Sequence, residues 1–241
     1  MSELVVRLRG LSEASIRLAC LTHWLEGADI VTACAELEAL LAETKARSAG
    51  AMPALVSLVQ WISAAVNPTR QHELAEQAQS QAATALAAML AHAHECPLSF
   101  RVLGARSPER AHERVLTLGE RKNLARRTGR KGLVRLLADP HPAVIEQLLL
   151  NPLLTEPDVV RLVSTRHLPA QSACMLAREG RWLMAPRVRQ GLLHNPDLPT
   201  WQTLPLLWLC TRPELARVAE APSLAQPLRA RAMALGELPL R

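Results

Sequence analysis

The run Asp-Pro-His-Pro-Ala-Val-Ile-Glu-Gln-Leu-Leu-Leu-Asn-Pro, Asp139 to Pro152, decides how this chain reads. Shifted by 44 residues, Pro142, Val144, Leu148, Leu149, Asn151 and Pro152 fall on Pro186, Val188, Leu192, Leu193, Asn195 and Pro196. Six identities in eleven positions mark an internal repeat. Its plan is helical. Asp139 or His141 suits the helix start, and Pro142 fits the first turn, where a missing N–H costs nothing. Val144, Ile145, Leu148 and Leu149 form an apolar face at helical spacing. Asn151 precedes a proline and is pushed out of the α region, so the helix stops there. Thr155 with Asp158 then starts a second helix as a capping box, with Val159, Leu162 and Val163 as its apolar stripe. A single pair of short helices cannot bury its own apolar face, so neighbouring pairs must stack.

The spacing Asp-Pro-x-Pro-x-Val followed by Asn-Pro-x-Leu resembles the leucine-rich repeat variant and, more loosely, HEAT-type α-solenoids, over residues 117–236. The match departs at Leu183, where an acidic cap is expected, and a third copy near Pro222–Pro239 is eroded. The resemblance implies an all-α stack of helix pairs and an extended interaction surface. Some variant-repeat proteins hold an iron–sulfur cluster on grouped cysteines; this chain has no such group, so no cofactor is expected.

The first half reads as helices over residues 11–26, 30–47, 53–66 and 69–94, joined by short turns. In it Leu18, Leu21, Leu25, Leu37, Leu40, Leu41, Leu55, Leu58, Val59 and Ile62 are turned inward. The expectation is all-α: an N-terminal helical bundle (1–97), a linker (98–116) and a short α-solenoid (117–241) with helices near 117–127, 130–138, 142–150, 156–165, 169–179, 185–193, 199–210, 213–220 and 226–235. Leucine, alanine, arginine and glutamate dominate and glycine is scarce at 10 residues, which favours helix. The most apolar run, Leu204–Cys210, is broken by Pro205 and too short to span a bilayer. No membrane partner and no leader are expected. Five scattered cysteines (Cys20, Cys34, Cys96, Cys174, Cys210) read as reduced buried thiols of a cytoplasmic protein.

Glycine-rich phosphate loops, His-Glu-x-x-His and Gly-x-Ser-x-Gly are all missing, so no catalytic residue and no enzyme activity is assigned. His92, His94, Glu95 and Cys96 form the one dense group of metal-ligand types. On a continuous helix His92 and His94 point about 200° apart, so the group reads as a polar helix end and no metal is assigned. Among the five tryptophans, Trp24, Trp61 and Trp208 read as core, while Trp182 and Trp201 stand at repeat junctions where either core or exposed anchor fits.

Charge is the functional signal. Residues 1–100 carry net −4, residues 101–137 net +8 and residues 138–241 net +2. Arg121, Lys122, Arg126, Arg127, Arg130, Lys131 and Arg135 are expected to form an exposed cationic stripe, with Leu118, Leu124, Leu133, Val134 and Leu137 turned inward. The plain reading of such a run is a solvated face paired with Glu120 or the acidic first half. The functional reading is a docking edge for an acidic protein, which makes the chain a non-enzymatic interaction adaptor or scaffold. Nucleic acid is the alternative, since some HEAT-like proteins are DNA glycosylases with a basic groove. Few aromatics and no Trp–Asp pair near the arginines count against it. One measurement tests the register. Leu148→Ala and Leu192→Ala, at equivalent core positions, should each lower the unfolding free energy by roughly 2–5 kcal/mol in urea titrations.

Overall fold

The computed structural model describes residues 3–45, 51–96, 116–139, 141–164, 168–196 and 198–237. The described residues form sixteen α-helices and two short 3-10 helices, without a strand. The first half holds α1 (Glu3–Arg9), α2 (Ala14–Gly27), α3 (Ile30–Lys45), α4 (Ala51–Ser63), α5 (Pro68–Ser80) and α6 (Thr84–Met89), then a 3-10 turn at Ala93–Glu95. The repeat half holds α7 (Leu118–Arg127), α8 (Arg130–Leu136), α9 (Pro142–Leu149), α10 (Glu156–Val163), α11 (Ala170–Arg178), α12 (Gly180–Met184) and α13 (Pro186–Leu193). After these come α14 (Thr200–Thr203), a 3-10 helix at Pro205–Leu209, α15 (Arg212–Glu220) and α16 (Gln226–Gly236). The all-α class is therefore as the composition predicts. The linker expected over 98–116 falls almost wholly outside the described residues.

Helix α4 organises the packing. Its sequence has no polar side, and Ala51 together with every residue from Ala54 to Ser63 is buried. A helix that is apolar all round has to lie inside. Helices α1, α2 and α3 cover it from the first half, while α11, α12, α14 and the Pro205–Leu209 helix cover it from the second. One continuous apolar core thus runs from Leu4 to Ala232. Two polar side chains of α4 are used at this junction. Gln60 Nε2 donates to the Arg178 carbonyl at 2.7 Å, and Ser63 Oγ donates to the Gln202 carbonyl at 3.3 Å. Gln202 Nε2 returns a bond to the Ser63 carbonyl at 3.1 Å. Gln71 closes the end of α4 by donating to the carbonyls of Trp61 and Ile62.

Several elements differ from the sequence reading. The single helix expected over 69–94 is broken after Ser80, where Ala82 takes a positive φ of 54°. Glu38 of α3 then accepts the Ala85 and Leu86 N–H groups at 3.0 and 2.7 Å, so a side chain from another helix starts α6. The segment expected as one helix over 199–210 splits at Pro205, and α12 was not anticipated. Leu4–Leu8, the nearest thing to a strand in the sequence, lies in α1.

In the repeat half α7 packs on α9, α9 on α11, α10 on α13 and α15 on α16. The 44-residue register places equivalent residues alike: Leu148 and Leu192, Val144 and Val188, and Asn151 and Asn195 are all buried. His141 is the side chain that caps α9, its Nδ1 accepting the Ala143 N–H, while Asp139 accepts the His141 N–H. Gly191 lets α13 approach α10, because a Cβ there would fall 2.2 Å from Val163 Cγ2.

The asparagine of the Asn-Pro stop does more than end a helix. Asn151 Nδ2 donates to the carbonyls of Ala125 and Thr128, at 2.9 and 3.2 Å, and its Oδ1 accepts the Leu153 N–H at 2.9 Å. It therefore fills the open carbonyl end of α7 from the next helix pair. Asn151→Ala should cost about 1–3 kcal/mol by stranding these groups. Asn151→Asp should cost more, because a carboxylate would face two carbonyl oxygens. Denaturant titration at neutral pH checks the ranking, and an aspartate variant as stable as the parent contradicts it.

Candidate partner-binding surface

The basic segment folds into α7 and α8, but not in the orientation expected from its leucines. The residues that α7 turns toward α9 are Ala125, fully buried, and Arg121 one turn before it. Arg121 Nη1 reaches both carboxylate oxygens of Asp139, at 2.7 and 2.6 Å, with both side chains largely covered. Leu118 and Leu124, expected inside, are instead exposed, as is Val134 of α8. Leu133 and Leu137 are buried as expected.

Arg130 is also engaged. Its guanidinium forms a two-pronged ion pair with the buried Asp158 carboxylate, Nη2 lying 2.8 Å from Oδ1 and Nη1 bonding Oδ2. The same carboxylate accepts the N–H and hydroxyl of Thr155, so the α10 capping box read from the sequence is also the anchor of α8. The pattern returns with Thr211 and Glu214, which caps α15 and takes a bidentate bond from the buried Arg189. In each case a cap acid selects an arginine from an earlier helix.

These pairings alter the expected stripe. Arg121 and Arg130 serve the fold, and their partners are Asp139 and Asp158 rather than Glu120 or the acidic first half. Lys122, Arg126, Arg127, Lys131 and Arg135 form no ion pair among the described residues, and all but the half-buried Lys122 are exposed. Beside them sits an apolar patch that the sequence did not announce. The turn carrying Leu150 and Leu153 is fastened to the α7–α8 corner by Asn151 and by Arg130, which donates to the Leu153 carbonyl. Leu150 is 56% exposed and Leu153 50%. Helices α7 and α8 therefore carry both the five cations and exposed apolar side chains, and the turn fastened to them carries two more.

The other candidates resolve differently. Helix α6 ends before the histidines, so the continuous helix expected there is absent, and the rings of His92 and His94 stack with centroids 6.0 Å apart. His92 Nδ1 lies 2.6 Å from Glu95 Oε1. Cys96 faces away into a small buried cluster with Cys174 and Trp201. Burial pushes the Cys96 thiol up to about 11 and Cys174 to about 12. No group of three His, Cys, Asp or Glu among the described residues is placed to hold a metal ion. Trp182 and Trp201, which could have been exposed anchors, are both buried.

Asp158 gives the site a pH signature. Burial pushes its carboxyl up, but hydrogen bonds from Arg130 and Thr155 and the Arg130 charge outweigh this and hold it at about 2. The folded value lies below the ordinary 3.8, so its contribution is complete above about pH 4 and lost as pH falls toward 2. Asp158→Asn should cost about 1–3 kcal/mol at neutral pH, toward the lower end because Arg130 remains half exposed. The variant should also lose part of the acid sensitivity between about pH 4 and 2. Urea titrations across that range check both effects.

No family model matches the chain, and no curated protein or solved structure matches it either.

Proposed function

We propose that this protein is a non-enzymatic interaction adaptor, a short α-solenoid whose stacked helix pairs hold one surface in fixed shape for another protein. The observation that carries this reading is the α7–α8 corner, where five cations that form no ion pair among the described residues share two helices with exposed Leu118, Leu124 and Val134, and the turn fastened to them exposes Leu150 and Leu153. A fold gains nothing from like charges gathered on one face, and a solvated face has no use for leucines left half open. An acidic protein surface uses both. The charges speed and orient encounter, and the leucines supply the apolar contact that holds the complex. The two Arg–carboxylate pairs and the Asn151 clamp support the reading by fastening α7 and α8 to the segments that follow them.

Nucleic acid is the second reading, because the same cations suit a phosphate backbone. It is the weaker one. Trp61, Trp182 and Trp201 lie in the core and offer no base-stacking platform, and exposed leucines have no role against phosphate.

Arg126→Glu with Arg127→Glu separates the readings, since both side chains are exposed and neither is paired within the fold. Circular dichroism and Tm should stay close to the parent values. Affinity capture from the native host should lose specific protein bands, and the parent's bands should survive nuclease treatment. Bands that vanish with nuclease favour the second reading. Bands retained by the double variant contradict docking at this corner.

A further inference from the structure

Among the described residues, no helix lies in the groove on the outer side of α7. Leu116, Glu120, Asn123, Leu124, Arg127 and Thr128 line a depression of about 310 Å³. Their spacing of three and four residues puts them on one face of α7 and its lead-in, along about three turns or 16 Å. Among the described residues α7 packs chiefly on α8 and α9. Helices deeper in the stack are covered more fully, as α9 is by α7, α8 and α11. An end helix of a repeat stack needs a polar outer face to remain in water. This one carries Leu116, Leu118 and Leu124, each 37–41% exposed. The leucines are those of an interior helix, at a position where the described stack stops.

The charges say what kind of helix would continue the stack. Arg127 lines the groove, with Lys122 and Arg126 on the same helix, and none of the three has an ion pair among the described residues. The groove's one acid, Glu120, has its carboxylate held by the N–H and hydroxyl of Thr117 at 2.8 and 3.0 Å, in the capping box of α7. The groove therefore presents apolar area with Arg127 on its border and one acid engaged in the helix cap. We propose that it takes an acidic amphipathic helix of another protein, laid along α7 as an added member of the stack. Leucine-like residues at i, i+3, i+4 and i+7 would face Leu116 and Leu124, and Asp or Glu on the flanks would face Arg127 and Arg126. This rests on the adaptor reading and narrows it to one face and one partner chemistry.

The test uses the full chain and a displayed library of helical peptides. Apolar residues are fixed at i, i+3, i+4 and i+7, and the remaining positions are drawn from acidic, basic and neutral residues. Enriched peptides should carry Asp or Glu over Lys or Arg at the flanks. Their Kd by fluorescence anisotropy should rise about tenfold or more with Leu124→Asp or Arg127→Glu. Met233→Asp, on the equally open face of α16, should leave it unchanged. All three positions are exposed, so circular dichroism should show the fold intact. Enriched peptides that bind Leu124→Asp and Arg127→Glu as tightly as the parent place the docking face elsewhere and overturn the groove while leaving the adaptor reading standing. Enrichment of basic or neutral flanks overturns the charge argument in the same limited way. Self-association in sedimentation that Leu124→Asp abolishes assigns the groove to a second copy of this chain and overturns the proposal. If no peptide is enriched while duplex DNA is bound through Arg126 and Arg127, the groove and the adaptor reading fall together.

Discussion

A helix with no polar side must be covered on all sides, and the rest of this fold follows from meeting that demand for Ala51–Ser63. The helices before it in the chain cover one half of its surface. The other half is covered by helices more than a hundred residues later, including those around Arg178 and Gln202 that bond Gln60 and Ser63. The two halves are therefore joined through one buried helix. The α7–α8 corner is connected to it by packing, because α9, on which α7 lies, packs on α11, and α11 packs on α4.

A second rule operates at three places in the repeat half. Polar residues that end or cap one helix also fasten a helix from an earlier pair. Asn151 fills the open carbonyls of α7, Asp158 caps α10 and binds Arg130 of α8, and Glu214 caps α15 and binds Arg189 of α13. Asn151 and Asp158 are buried and Glu214 is half-buried, and each has more than one hydrogen-bond partner, which keeps the cost of burial low. The device also sorts the charges. Arginines met by a cap acid are spent on the fold, and the cations left over, Lys122, Arg126, Arg127, Lys131 and Arg135, form no ion pair among the described residues.

How much of this the sequence disclosed depends on whether the signal was local. The helix class, the 44-residue register, the burial of Leu148 and Leu192 and the Thr155–Asp158 box were legible, because each rests on residues a few positions apart. The break at Ala82 was not, since its cause includes Glu38 on another helix and no glycine or proline announces it. The orientation of α7 was misread for a related reason. Periodicity assigns the inside to leucine, but the contact with α9 is made by Ala125 and by Arg121 once Asp139 has neutralised it. Leu118 and Leu124 then face out, and the exposed patch with Leu150 and Leu153 exists only after Asn151 has folded its turn against α7. The cations themselves were legible, but which of them are spent on the fold was not, because Asp139 and Asp158 lie 18 and 28 residues from their arginines.

The account stands on α4 joining the halves into one cooperative unit, and calorimetry of the full chain measures that directly. A single transition whose calorimetric and van't Hoff enthalpies agree, shifted as a whole by Gln60→Ala or Gln202→Ala, is the predicted result. Two separable transitions, with only one moved by either substitution, would contradict it.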